Sequence, residues 1–109
     1  MRGAKLVQII DRFDDKKIFV VLVCERKNVP WNAPNNDEYV GMFLRALRSY
    51  ANDKRRVRGL YSLYDLCLDL SLGSKPIYAH LGWGKDDEID FDYDITETEV
   101  IVSLKCNFL

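Results

Sequence analysis

From Ile18 to Cys24 the chain reads Ile-Phe-Val-Val-Leu-Val-Cys, apolar at odd and even positions alike. A strand with apolar residues on both faces belongs in the middle of a sheet. Ala4–Phe13 is a second β-rich stretch. The polar Asp14-Asp15-Lys16 separates it from Lys17–Lys27, so the two predict a hairpin. Asn28–Asn36 carries Pro30, Trp31 and Pro34 and predicts a loop, with Trp31 as its anchor.

The period then becomes helical. Asn35 or Asn36 can cap a helix whose first turn holds Asp37 and Glu38 against the positive end of the dipole. Tyr39, Val40, Phe43, Leu44, Leu47 and Tyr50 recur at helical spacing. Asn52-Asp53 predicts a break and the cap of a second helix. In that helix Val57, Leu60, Tyr61, Leu63, Tyr64, Leu66, Cys67, Leu68 and Leu70 cover most of the circumference, which predicts burial, and Gly73 is its stop.

After Gly73 the period falls to two. Lys75–Leu81 predicts a strand and Gly82-Trp83-Gly84 a turn. Ile89, Phe91, Tyr93 and Ile95 alternate with Asp90, Asp92 and Asp94. Val100, Val102, Leu104, Cys106 and Phe108 alternate with other residues across Glu99–Phe108. The order ββααβββ predicts an α+β domain: a five-stranded antiparallel sheet with a two-helix hairpin packed on one face. With 109 residues, no internal repeat and no linker, residues 1–109 form a single domain.

Composition narrows the function. The longest apolar run has seven residues, against the ~20 of a membrane helix, and no secretory leader pattern opens the chain. Cys24, Cys67 and Cys106 are odd in number, far apart and inside apolar segments. They predict buried reduced thiols and a cytoplasmic location. His80 is the single histidine, with no helper for nucleophilic catalysis nearby, and it reads as a structural strand residue. No catalytic set, metal site or cofactor is expected.

The net charge of −1 hides a segregation. Asp86, Asp87, Glu88, Asp90, Asp92, Asp94, Glu97 and Glu99 fall within one hairpin that contains no lysine or arginine. Arg45, Arg48, Lys54, Arg55, Arg56 and Arg58 cluster in the helical region, opposed only by Asp53. Alternate strand residues share a face ~6.6–7 Å apart, so Asp90, Asp92 and Asp94 form a row of carboxylates at a spacing close to that of backbone phosphates. Such a row can compete for the lysines and arginines of a nucleic-acid-binding protein. The competing reading is a charged edge strand that prevents aggregation.

The first function expected is therefore a small non-enzymatic inhibitor that binds a cationic nucleic-acid-handling protein, as a nuclease antidote or a virus-encoded inhibitor would. The second is an RNA- or nucleotide-phosphate-binding module, with the basic residues at an inter-helix turn beside free backbone N–H groups. Direct nucleic-acid binding ranks lower, because four cations at the turn are few. Trp31 is also a candidate partner-binding residue. A homodimer through sheet edges is expected over a monomer, away from the mutually repelling acidic hairpin.

One pattern resembles the nucleotidyltransferase superfamily: Leu72-Gly73-Ser74, followed by the acid–apolar–acid–apolar run Glu88-Ile89-Asp90-Phe91. The resemblance implies divalent-metal nucleotidyl transfer, with Glu88, Asp90 and Asp92 as Mg²⁺ ligands and Gly73-Ser74 near the phosphate. In that family the Gly-Ser pair follows a strand and opens a helix. Here it follows a helix and leads into Lys75-Pro76.

Overall fold

In the computed structural model, which describes residues 4–12, 17–31, 36–72 and 75–109, the apolar run of Ile18–Cys24 lies inside the sheet. β1 (Ala4–Arg12) pairs antiparallel with β2 (Lys17–Glu25), and β2 pairs antiparallel with β6 (Glu99–Phe108). The register sets Ile18 opposite Cys106, Val20 opposite Leu104, Leu22 opposite Val102 and Cys24 opposite Val100. These eight side chains are all buried and form the floor of the core.

The far edge of β6 is divided between two strands. β5 (Phe91–Ile95) pairs with Val100–Leu104, while β4 (Leu81–Gly84) pairs with Asn107 and Phe108. A three-residue strand, β3 (Leu60–Ser62), extends the sheet beyond β4. The described sheet runs β1-β2-β6-β4-β3, with β5 beside β6, and is antiparallel throughout.

The protein is α+β, with two α-helices contributing to the core that covers this sheet. α1 (Asp37–Arg58) is capped by Asn36, whose Oδ1 accepts from the Tyr39 amide at 3.0 Å. It runs through Asn52-Asp53, where the sequence predicts a break, and ends at Gly59 with φ +88°. The Asn52 side chain bonds to a neighbouring loop, so a tertiary partner overrides its local preference for turns. In place of a helical hairpin, β3 separates α1 from α2 (Leu63–Asp69), which starts with a Ser62–Asp65 capping box. Val57 and Leu60 then lie outside the buried helix expected for them, 86% and 42% exposed, and Leu68, within α2, is 53% exposed.

The strand expected over Lys75–Leu81 is instead a 3-10 helix, Pro76–His80, and the expected turn Gly82-Trp83-Gly84 belongs to β4. Pro76 suits a first helical turn because it has no N–H to place. Gly82 marks a close approach of backbones: a Cβ there would collide with the Tyr61 carbonyl and lie 2.6 Å from Ser62 Cα. The predicted Asp14-Asp15-Lys16 turn lies outside the described residues, as does the Gly73 helix stop.

The three cysteines are buried and form no disulfide, and burial, with a smaller contribution from Cys67, pushes the Cys24 thiol up to about 12. No helix among the described residues is long and apolar enough to cross a membrane.

Candidate partner-binding interface

The basic and acidic segments, far apart in sequence, meet in the fold. Residues 45, 48, 52 and 55 recur at helical spacing and lie along one flank of α1. Arg45 donates to the Tyr93 hydroxyl at 2.7 Å. Arg48 donates to Asp90 Oδ1 at 3.1 Å and to the Phe91 carbonyl at 3.3 Å. Arg55, only 4% exposed, donates to the Lys85 carbonyl, to Asn52 Oδ1 at 3.3 Å, and lies 3.6 Å from Glu88. This flank of α1 holds residues 85–93 against the core.

Asn52 is the key member, and a sequence reading takes it for a helix breaker. Its Nδ2 donates to the Ile89 carbonyl and its Oδ1 accepts from the Ile89 amide, both at 2.9 Å. A buried backbone pair that no strand satisfies is thus satisfied by one side chain. The available signal is position: Asn52 follows Leu44, Leu47 and Ala51 on the inward side of a helix, where a polar residue needs a partner. Arg26 is a second residue of this kind. Buried after β2, it donates to Asp37 Oδ1 at 2.8 Å and to the Thr96 carbonyl at 2.9 Å, tying the start of α1 to the β5–β6 turn.

The eight acids take different roles. Asp87 Oδ2 braces the turn after β4, accepting from the Gly84 amide at 2.9 Å and from Asn107 at 3.0 Å. Glu88 and Asp90 face arginines of α1. Asp90 precedes β5, so the regular strand row consists of Asp92 and Asp94. Both are exposed and, among the described residues, neither carboxylate has a hydrogen bond or ion pair, as is also true of Asp86 and Glu97 in the flanking turns. Glu99 is half-buried, opposite Glu25 in the β2–β6 register.

Between β4 and β5, beside Lys105 of β6, the sheet edge opens into a cleft of about 440 Å³ lined by Phe19, Trp83, Asp90, Asp92, Ser103 and Lys105. The Lys105 ammonium sits 4.9 Å above the Phe19 ring.

The basic block does not form an inter-helix turn. Lys54, Arg55, Arg56 and Arg58 occupy the C-terminal turns of α1, which present carbonyls rather than the free N–H groups a phosphate needs. Arg56 bonds Asp53 at 2.8 Å, and Lys54 lies 5.0 Å over the Tyr50 ring. Arg58 is exposed at the last helical position.

Trp31 is buried, stacked on Phe43 at 5.1 Å, and its indole N–H donates to the Leu70 carbonyl at 2.6 Å. It holds its loop to both helices and offers no ring surface to a partner. His80 is exposed at the end of the 3-10 helix, and its carbonyl accepts the Leu109 amide at 2.8 Å.

The acids of the nucleotidyltransferase-like pattern are directed elsewhere, Glu88 to Arg55 and Asp90 to Arg48, while Gly73-Ser74 lies outside the described residues. Among the described residues no group of three or more His, Cys, Asp or Glu side chains is placed to hold a metal ion. No protein-family model matches the chain, and no curated protein or solved structure matches it either.

Proposed function

We propose that this chain is a small non-enzymatic binding protein that neutralises a cationic, nucleic-acid-handling partner by presenting an acidic edge in place of a phosphate backbone. One observation carries the reading. Asp92 and Asp94 stand exposed and unpaired on β5, which among the described residues pairs only with β6, while Arg45 and Arg48 of α1 bond that strand and Asn52 and Arg55 hold the segment leading into it.

Several features support it. A row of carboxylates on a braced strand is preorganised, so binding costs little ordering entropy. Asp86 and Glu97 extend the negative surface at both ends of β5, and charge of one sign along an edge accelerates encounter with an oppositely charged groove. The Lys/Arg cluster is less suited to an incoming phosphate, since Arg48, Arg55 and Arg56 already face carboxylates of the same chain.

The test is charge reversal on both surfaces. Asp92→Lys with Asp94→Lys abolishes capture of the partner while leaving the circular dichroism spectrum unchanged. Arg56→Glu with Arg58→Glu preserves capture. The opposite pattern would assign function to the basic end of α1.

A further inference from the structure

α1 carries two apolar stripes, and the core uses only one. Val40, Leu44, Leu47 and Ala51 are buried against the sheet and α2. About a third of a turn round the helix, Tyr39, Met42, Phe43, Ala46 and Tyr50 fall within an arc of ~100° at ~100° per residue. Tyr39, Met42 and Tyr50 are 51%, 57% and 48% exposed, Ala46 is also exposed, and Phe43 is half-buried. Between the stripes an open groove of about 310 Å³ runs along Phe43, Ala46, Leu47 and Tyr50, closed on one side by Asp69. A contiguous apolar surface of this kind on a small domain marks an interface.

We propose that this stripe pairs with the same stripe of a second copy of the chain, the two α1 helices lying antiparallel across a two-fold axis beside Ala46. The arrangement of the helix surface is what selects a second copy. Glu38 and Arg56 are eighteen residues apart, which at ~3.6 residues per turn is five full turns, so they lie on the same flank. Phe43 and Tyr50 are seven residues apart, about two turns, and share the opposite flank. The midpoints of both pairs fall within one residue of Ala46.

A two-fold axis there brings each copy's Glu38 to the other's Arg56, whose guanidinium also holds Asp53 of its own helix at 2.8 Å, and each Phe43 to the other's Tyr50, as an isologous interface requires. The small Ala46 at the crossing lets the helices approach closely. Arg45, seven residues beyond Glu38, shares that flank and bonds Tyr93; Asp92 and Asp94 alternate with Tyr93 along β5 and point to its other face, so pairing leaves them uncovered. This interface is also distinct from edge-to-edge strand pairing.

Sedimentation equilibrium on the full chain, with covalent trapping, tests it. The wild type is expected to be a dimer at ~100 µM that dissociates on dilution. Glu38→Arg replaces an attraction with a repulsion in both copies and weakens the dimer about tenfold or more. Glu38→Arg combined with Arg56→Glu restores it. Ala46→Cys forms a covalent dimer under mild oxidation, whereas Lys75→Cys, exposed on another part of the surface, does not. The three native cysteines are buried and stay out of this reaction. Every substituted position is exposed, and an unchanged thermal melt verifies the fold. A wild type that is monomeric at ~100 µM overturns the proposal. So does a dimer that survives Glu38→Arg and leaves Ala46→Cys unlinked.

Discussion

Arg48 of α1 reaches Asp90 at 3.1 Å and the adjacent Phe91 carbonyl at 3.3 Å, so one basic side chain ties down the start of the acidic strand. The pair is largely open to water, with Asp90 about three-quarters exposed, so its worth is that of a surface ion pair. In urea unfolding, Arg48→Ala is expected to cost ~1 kcal/mol, since the Phe91 contact is lost as well. A double-mutant cycle with Asp90→Asn should return a coupling of ~0.2–1 kcal/mol.

Asn52 should matter more than any charge on α1. Replacing it with Ala strands both the N–H and the C=O of buried Ile89, each left unsatisfied at ~1–3 kcal/mol. Asn52→Ala is therefore expected to destabilise by ~2–4 kcal/mol. Hydrogen exchange should show residues 85–93 losing protection first. A loss below that of Arg48→Ala would contradict the role assigned to Asn52.

Gly82 is fixed by the approach of β3. A methyl group at this position would overlap the backbone of Tyr61 and Ser62, and φ +152° is itself unfavourable for other residues. Gly82→Ala should cost ~3 kcal/mol or more, lowering the melting temperature by over ~10 °C for a domain of this size. An unchanged melting temperature would mean that β3 is not paired as described.

The buried thiol predicts an alkaline limit. Cys24 is held neutral, with its pKa raised from 9.0 to about 12, so the fold favours the protonated form. Its contribution to stability is complete below pH 9.0, the unfolded value, and is lost as the pH rises towards about 12. Unfolding free energy should fall across that window by at most ~1.4 kcal/mol per pH unit from this group. The slope should be smaller in Cys24→Ala, whatever its cost at neutral pH. Thiol reagents at pH 8 should react only at the rate of unfolding.

Mg²⁺ offers a direct comparison between the binding and nucleotidyl-transfer readings. Glu88 and Asp90 face arginines, so ~10 mM Mg²⁺ should leave the melting temperature unchanged. A rise of several degrees that is lost in Asp92→Asn would indicate a carboxylate metal site.

The α+β class, the first hairpin and the last two strands were legible because each rests on apolar periodicity, which burial enforces. The helix boundary was not. Asn52-Asp53 has the local chemistry of a helix stop, and only the distant Ile89 backbone reverses it. Gly82-Trp83-Gly84 misleads in the same way, since glycine marks turns and close strand approaches alike. Charge segregation was visible along the chain, but how Asp87, Glu88 and Asp90 divide among partners depends on β4 and α1. Asp92 and Asp94 were legible as a strand row and remain its unpaired part among the described residues.

The most direct test of the central claim is partner capture from the native host's lysate. Wild type is compared with Asp92→Asn/Asp94→Asn, and bound species are identified by mass and then challenged with duplex nucleic acid. Wild type alone is expected to retain a cationic nucleic-acid-binding protein, which the duplex displaces and which is held less tightly as salt is raised. Retention of the same partner by both proteins, unaffected by the duplex, would mean that the acidic strand is only a solubilising edge.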